Sequence, residues 1–254
     1  MTGETEQQAH AVLVSIVIAT YNAADYLQGC LQSIADLSLP GIEVVIIDGG
    51  STDATPAIAQ SFTTLRMVWQ SGPDAGIYDA LNKGITAASG RWLHFLGADD
   101  RLLPGFATLF AQLKQPGTVY YGSSEAWYGK GERPSYVLLG GPFSRYRLAK
   151  YCMNHQCILY PAAVFARYRY NLRYRVFADY ALNIQVWGDP QFKKQFVPVK
   201  VALYNMTGFS SVCDDLLFRQ DKARLIRKHM GMLVYLRFML KRYKKKREGA
   251  TDFQ

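Results

Sequence analysis

Val12–Thr20 reads VLVSIVIAT, a continuous, β-branched apolar run without a charge. Such a run marks a strand buried on both faces, because a half-exposed strand alternates apolar and polar residues. Ile42–Asp48 (IEVVIID) reads as a second buried strand. Between the two, Leu27, Cys30, Leu31 and Ile34 recur at helical spacing, with Asn22 or Asp25 as the expected cap and Pro40-Gly41 as the break. The turn Gly49-Gly50-Ser51 follows, and Ser51 or Thr52 is placed to cap a helix running towards Phe62. Leu65–Gln70 reads as a third, shorter strand, Ser71–Gly76 as a loop, and Ile77–Ala88 as a helix ended by Ser89-Gly90. Trp92–Leu96 is a fourth strand that stops at Gly97-Ala98-Asp99-Asp100, before a helix opened by Pro104. Strands alternating with helices predict an α/β fold, a mostly parallel central sheet flanked by helices. Ligands of such sheets lie beyond the carboxyl ends of the strands. The polar clusters fall there: Thr20-Tyr21-Asn22, Asp48–Asp53, Ser71–Asp74 and Asp99-Asp100.

After Leu113 the pattern changes. Val119–Tyr128 and Tyr136–Leu139 read as strands joined by a turn over Gly129–Pro134, Met153–Tyr160 as another strand, and Phe177–Trp187 as a helix. The region is rich in Tyr and Arg, and no repeat or low-complexity linker divides the chain. The expected organisation is a disordered polar N-terminus (1–11), one compact unit with two functional halves (12–114 and 115–221) and a basic amphipathic tail (222–254).

With 254 residues, 49% of them apolar, the chain can bury a core without disulfides. Cys30, Cys152, Cys157 and Cys213 are few and irregularly spaced, as free thiols in a reducing compartment would be. Cys152, His155 and Cys157 lack an evident fourth ligand and match no zinc spacing. The net charge is +9, but Lys222–Arg247 alone holds eleven Lys and Arg and no acid, leaving 18 basic against 20 acidic residues elsewhere. A local positive charge argues for one electrostatic contact and against a chain that coats nucleic acid. No stretch approaches the ~20 apolar residues of a spanning helix, and Met1–Ala11 has no apolar core of a signal peptide. Met230–Leu240 is apolar apart from Arg237 and runs into Lys241–Arg247. It reads as a helix lying on an anionic membrane surface, or as a terminal helix packed on the domain with a solvated end.

The chain has no G-x-x-x-x-G-K-[ST] loop, and no G-x-G-x-x-G follows the first strand, which disfavours a P-loop NTPase and a dinucleotide oxidoreductase. The strand ends offer carboxylates instead. Two adjacent acids, Asp99 and Asp100, repel unless a cation or donors offset them, and hard oxygen ligands suit Mg²⁺ or Mn²⁺. The same pair also reads as acids ahead of a helix N-terminus.

The segments VSIVIATYN, VVIIDGGSTDAT, DAGIYDALNKGITAASG and WLHFLGADDRLLP resemble, in order and spacing, the nucleotide-binding half of family-2 glycosyltransferases. The likeness continues more weakly through NHQCILYP, RVFADYALNIQVW and NMTGFSS. It implies the GT-A fold, a single Rossmann-like domain with a C-terminal acceptor-side region. It also implies an inverting transfer from a nucleoside-diphosphate sugar, UDP-sugar favoured, to a glycan or polyprenyl-diphosphate-linked acceptor in bacterial surface-polysaccharide synthesis. The expected location is the cytoplasm, on the inner face of the membrane. In this resemblance Thr20, Tyr21 and Asn22 line the nucleotide pocket and Asp48 bonds the base or ribose. Asp74, Asp79, Asn82 and Lys83 match the next donor-binding segment, with Lys83 set to offset diphosphate charge or simply to lie on a helix surface. Ala98 stands with the donor contacts inside the metal motif, whose acids are Asp99 and Asp100. The first acid usual in that motif is replaced by Gly97, and the second acid usual after Asp48 by Gly49. Asp179 is the expected base for the acceptor hydroxyl, or else a helix-start acid. His155 and Gln156 are expected near the acceptor or donor sugar. Trp127, Tyr128, Tyr146 and Trp187 read as sugar-stacking or as buried aromatics. Two other readings stay open: a nucleotidyltransferase, for which Tyr21-Asn22-Ala23-Ala24 supplies no Gly-rich phosphate loop, and a non-catalytic module, prompted by Gly97.

Overall fold

In the computed structural model, the described residues are 12–128, 136–138, 140–208 and 214–247. The expected disordered N-terminus, the Gly129–Pro134 turn, Leu139, Cys213 and the chain beyond Arg247 lie outside them. β1 (Val14–Thr20) is central because its sequence has no face to give to water: Val14, Ile16, Val17 and Ile18 are fully buried. It pairs in parallel with β2 (Ile42–Asp48) on one side and β4 (Trp92–Phe95) on the other. β3 (Met67–Ser71) extends the parallel block beyond β2. The order β3-β2-β1-β4 therefore reverses at β1, and the carboxyl ends at such a reversal are where open α/β sheets bind their ligands.

The helices cover this block. α1 (Ala24–Ala35) buries Leu27, Cys30, Leu31 and Ile34, the positions its periodicity singles out. Its cap is not Asn22 or Asp25. The N-cap is Ala23 without a side-chain bond, and the first N–H groups go across the loop, Ala23 to Thr55 Oγ1 at 2.8 Å and Ala24 to Asp53 Oδ2 at 3.1 Å. Neither Ser51 nor Thr52 caps α2 (Thr55–Ser61), whose N-cap is Ala54. α3 (Ile77–Ala87) crosses the sheet so closely that a Cβ at Gly84 would stand 2.3 Å from Val17 Cγ1. A side chain there would push the helix off the strand.

Beyond β4 come β5 (Arg101–Leu102), α4 (Gly105–Phe110), β6 (Thr118–Trp127), β7 (Tyr136–Leu138) and α5 (Arg145–Lys150). The expected strand over Met153–Tyr160 is shorter than its apolar run. His155–Cys157 forms a 3-10 turn, closed by Cys157 N–H to Asn154 O, and β8 starts only at Ile158 (Ile158–Pro161). α6 (Ala178–Gly188) leads to β9 (Lys193–Asn205), for which the sequence gives no simple signal because lysines and Pro198 interrupt it. The sheet runs β3-β2-β1-β4-β8-β6-β9-β5, with β7 on β6. β9 lies parallel to β6 through a register break between Tyr121 and Ser124, and its end brings Asn205 to the turn after β4.

The chain closes with α7 (Leu216–Met230) and α8 (Met232–Arg247), bent at Gly231, whose φ of +92° few other residues adopt. Phe238 buries on the domain, and Lys222, 5% exposed, lies with its ammonium 4.6 Å from the Tyr180 ring. Lys222 is therefore core-facing, and the basic surface of the tail begins after it.

Candidate active site

Thr20, Asp48 and Ser71 form one row across β1, β2 and β3. The parallel register makes their side chains meet: the hydroxyls of Thr20 (3.0 Å) and Ser71 (2.7 Å) donate to the Asp48 carboxylate. Gly50 N–H, Ser51 N–H and the Ser51 hydroxyl donate to it as well. Burial opposes its charge, but the donors of Ser51, Ser71 and Thr20 outweigh burial and hold the carboxyl below its ordinary range. Asp48 is 0% exposed. Asp48, expected to bond the base or ribose, is engaged here by donors that join three strand ends.

Around that brace lies the open edge. Asn22 adopts φ +46°, and its Oδ1 accepts from Thr52 N–H at 3.0 Å, which ties the end of β1 to the turn after β2. Tyr21 stands 68% exposed. A Cβ at Gly49 would meet Asp74 Oδ2 at 2.8 Å and the Tyr21 ring at 3.3 Å, so Asp74 and Tyr21 close over the place where a larger residue would project. Asp74 Oδ1 accepts from Gly76 N–H at 2.9 Å. Asp79 accepts from Ala75 N–H at 3.0 Å and pairs with Lys83, whose ammonium also donates to Pro73 O at 2.9 Å. Asp79 is held below the ordinary carboxylate range first by the Ala75 N–H and then by Lys83. Asn82, expected among the donor contacts, bonds the backbone of Tyr170. Its amide donates to Tyr170 O and accepts from Tyr170 N–H, at 2.9 and 3.0 Å, a pair of bonds that pins the segment around Tyr170 to α3.

The acids after β4 have unequal settings. Asp100, 2% exposed, accepts from Gly97 N–H (3.1 Å), Gln156 Nε2 (2.9 Å) and Asn205 N–H (2.8 Å). Asp99 is half-buried and accepts from Asn205 Nδ2 at 3.1 Å. Burial raises both carboxyls, and for Asp100 the charge of Asp99 adds to it. Ala98 between Gly97 and Asp99 is half-buried. Gly97 is required by these contacts: a Cβ there would come within 2.6 Å of Asp100 Oδ2 and 2.9 Å of Asp99 Oδ1. Among the described residues no group of three or more His, Cys, Asp or Glu gathers into a cation site. The chemistry of the pair still fits a hard divalent ion, because a buried and a half-buried carboxyl that repel each other gain most from a neighbouring positive charge.

His155 and Gln156, expected near the acceptor or donor sugar, are buried. Gln156 braces Asp100, and the His155 ring packs 5.9 Å from Phe95 with Nδ1 3.4 Å from the Tyr170 hydroxyl. Burial lowers the His155 imidazole to about 3, so it is neutral. Trp187 is likewise core, its indole N–H donating to Phe143 O at 3.1 Å, and Tyr146 lies under the Arg237 guanidinium at 4.3 Å. Trp127 lies beneath the Arg101 guanidinium at 5.1 Å.

Asp179 sits in the first turn of α6, where burial raises its carboxyl to about 6 against the pull of Tyr180 N–H (2.7 Å) and the Tyr78 hydroxyl (3.3 Å). Asp215, the N-cap of α7, accepts from Val176 and Phe177 N–H and so fixes the segment that carries it. Two residues of this site escape a reading of the sequence. Tyr78 precedes Asp79 in a helix-like run and has no polar pattern of its own. Asn205 stands in NMTGFSS, but its partners are more than a hundred residues away in the chain.

Known proteins resemble this chain in sequence and in fold. The model of glycosyl transferase family 2 matches residues 15–171. A PGL/p-HBAD biosynthesis glycosyltransferase of Mycobacterium bovis (strain BCG) is 38% identical over 207 residues, covering 78% of each chain. The S. aureus TarS 1-349 structure in complex with UDP-GlcNAc superposes with a TM-score of 0.63 at 14% identity, over 86% of this chain and 72% of that one. The mannosyltransferase PcManGT of Pyrobaculum calidifontis, in complex with GDP-Man and Mn²⁺, gives 0.57 at 16% identity, over 91% of this chain and 65% of that one. At these identities the structures speak for the shared GT-A fold, and the family match with the mycobacterial relative speaks for the enzyme class. The chain is a glycosyltransferase and belongs to glycosyl transferase family 2.

Proposed function

We propose that the enzyme moves a sugar from a nucleoside-diphosphate donor, with UDP-sugar favoured, to a glycan or polyprenyl-diphosphate-linked acceptor of bacterial surface polysaccharide. The transfer inverts the anomeric centre and takes place on the inner face of the cytoplasmic membrane. Residues 12–114 form the donor half, and 115–221 the acceptor half. The observation that carries this reading is the pair of acids at the turn after β4, both raised by burial and held through Asn205, together with a third acid, Asp179, in the first turn of α6 and likewise raised, to about 6. UDP-GlcNAc in TarS and GDP-Man with Mn²⁺ in PcManGT support a nucleotide-sugar donor and a divalent ion.

In this proposal Tyr21 offers its exposed ring to the base, Asp74 and Asn22 line the same edge, and Lys83, with Asp79 holding it, offsets phosphate charge. Ala98 leaves room beside the donor. Asp99 and Asp100 would hold Mg²⁺ or Mn²⁺, with Asp100 fixed by Gln156 and Asn205 and Asp99 by Asn205. When bound, the ion would neutralise charge on the departing nucleoside diphosphate. Thr20, Asp48 and Asn82 act as positioning residues. Asp179 accepts the proton of the acceptor hydroxyl, and an acid near pKa 6 is charged at neutral pH and still basic enough to take it.

The reading is tested by thermal shift with a panel of nucleoside-diphosphate sugars, with and without Mn²⁺, on the parent and Asp99→Ala. A donor that stabilises the parent only with Mn²⁺, and no longer stabilises the variant, is expected. Equal stabilisation of both proteins would remove Asp99 from donor binding.

A further inference from the structure

α8 is amphipathic in the opposite sense from a terminal packing helix. Its inner side carries Phe238, 2% exposed, and is anchored where Arg237 crosses Tyr146 of α5. Its outer side presents Leu233 (74% exposed), Leu236, Leu240 (63%) and Tyr243. The spacing three, four and three places these four on one stripe of an α-helix, and exposed Met232 lies at its edge. At 3.6 residues per turn, Lys241 and Lys244 run along one flank of that stripe. Arg237–Arg247 holds seven basic residues and no acid. No helix among the described residues is long and apolar enough to cross a membrane.

We propose that this face of α8 lies flat in the headgroup region of an anionic lipid bilayer, with the leucine stripe entering the acyl boundary and the basic flank on the phosphates. An apolar stripe of this size is disfavoured in water, and a one-signed border without a single acid fits a negatively charged plane. A protein partner would have to present a groove for the leucines and an acidic rim. A lipid surface supplies both properties at once. The proposal deepens the reading of a membrane-side acceptor, and it does not depend on sugar transfer.

The face also has a mechanical consequence. α7, which joins α8 to the domain, holds the segment before α6 through Asp215, and Lys222 packs on Tyr180 beside Asp179. Deleting the tail would disturb the site, so the test keeps the whole chain. The full-length protein is sedimented with phosphatidylglycerol-containing vesicles and with pure phosphatidylcholine vesicles. The parent is expected to pellet with the anionic vesicles and to be released by salt. Leu236→Glu with Leu240→Glu should lower the partition coefficient by about 10²-fold or more. Lys241→Gln with Lys244→Gln should lower it roughly thirtyfold. Both variants should keep the parental Tm and the parental rate of donor hydrolysis in solution, which separates failure of this proposal from failure of the catalytic reading. A parent that ignores anionic vesicles at low salt would overturn the proposal, as would a double-glutamate variant that binds like the parent. Loss of a dimer in the glutamate variant, without any vesicle binding by the parent, would assign the face to a second copy of the chain and overturn it as well.

Discussion

The Tyr78 hydroxyl stands between two acceptors, the Val176 carbonyl and Asp179 Oδ1, the latter at 3.3 Å, with one proton to give. Its donation to Asp179 favours the carboxylate and partly offsets the effect of burial, which raises the carboxyl to about 6. Tyr78→Phe keeps the ring against Tyr170 and removes the donor. The Asp179 carboxyl should then move further up. A base must be ionised, so the acid limb of the turnover–pH profile should shift to higher pH in the variant, with rates converging above pH 8. The measurement is kcat against pH at saturating donor. An unchanged limb would mean that Tyr78 does not touch the group that controls turnover.

Asp179 also makes a stability prediction with a definite sign. Its folded carboxyl lies above the ordinary value of 3.8, so the folded state holds a proton that the unfolded chain has released. The stabilisation from this group is complete below the unfolded pKa and is lost as pH rises through about 6. Asp179→Asn removes that loss. At pH 8 the variant should be as stable as the parent or more so, by about 1–3 kcal/mol, while the difference should shrink towards pH 4. Thermal unfolding at both pH values checks it.

Asp48 predicts the opposite. It is buried, ionised and surrounded by donors from three strand ends. Asp48→Ala leaves those hydroxyls and N–H groups without their acceptor and should cost about 3 kcal/mol, or roughly 6–12 °C in Tm. Its carboxyl is held below the ordinary range, so the stability it supplies is present at neutral pH and is lost as pH falls through its folded pKa. If Tm is unchanged but donor binding is lost, Asp48 contacts the donor after all.

Gly97 gives a third contrast. A carboxylate introduced where related motifs carry one would enter the space of Asp100 Oδ2, which is fixed by Gly97 N–H and Gln156. Gly97→Asp is therefore expected to lower turnover and cation-dependent donor binding and to strengthen neither. Gly97→Ala should show the same direction more weakly. Improved Mn²⁺ affinity in Gly97→Asp would show that the turn can rearrange at little cost.

What sequence alone made readable follows from range. The strands of the first half are continuous apolar runs, and their positions, the helical faces and the polar strand ends all follow from local periodicity. The caps proved harder, because Asn22, Ser51 and Thr52 bond to one another across two loops instead of to their own helices. β9 was hidden by its lysines and Pro198, which suit a strand paired in an irregular register. The site followed the same rule. Candidate residues were visible as types at strand ends, but the division of labour was not. Whether an acid such as Asp48 or Asp100 faces a ligand or the interior depends on donors tens of residues away.

The role proposed for Asp179 is that of the base in sugar transfer. It is tested most directly by measuring donor affinity and turnover on the same folded sample of Asp179→Asn, with release of nucleoside diphosphate as the readout. Donor affinity should stay within a few-fold of the parent, and turnover should fall by about 10²–10⁴, the loss typical of removing a general base. Turnover near the parental rate would make Asp179 a helix-start acid and contradict the claim.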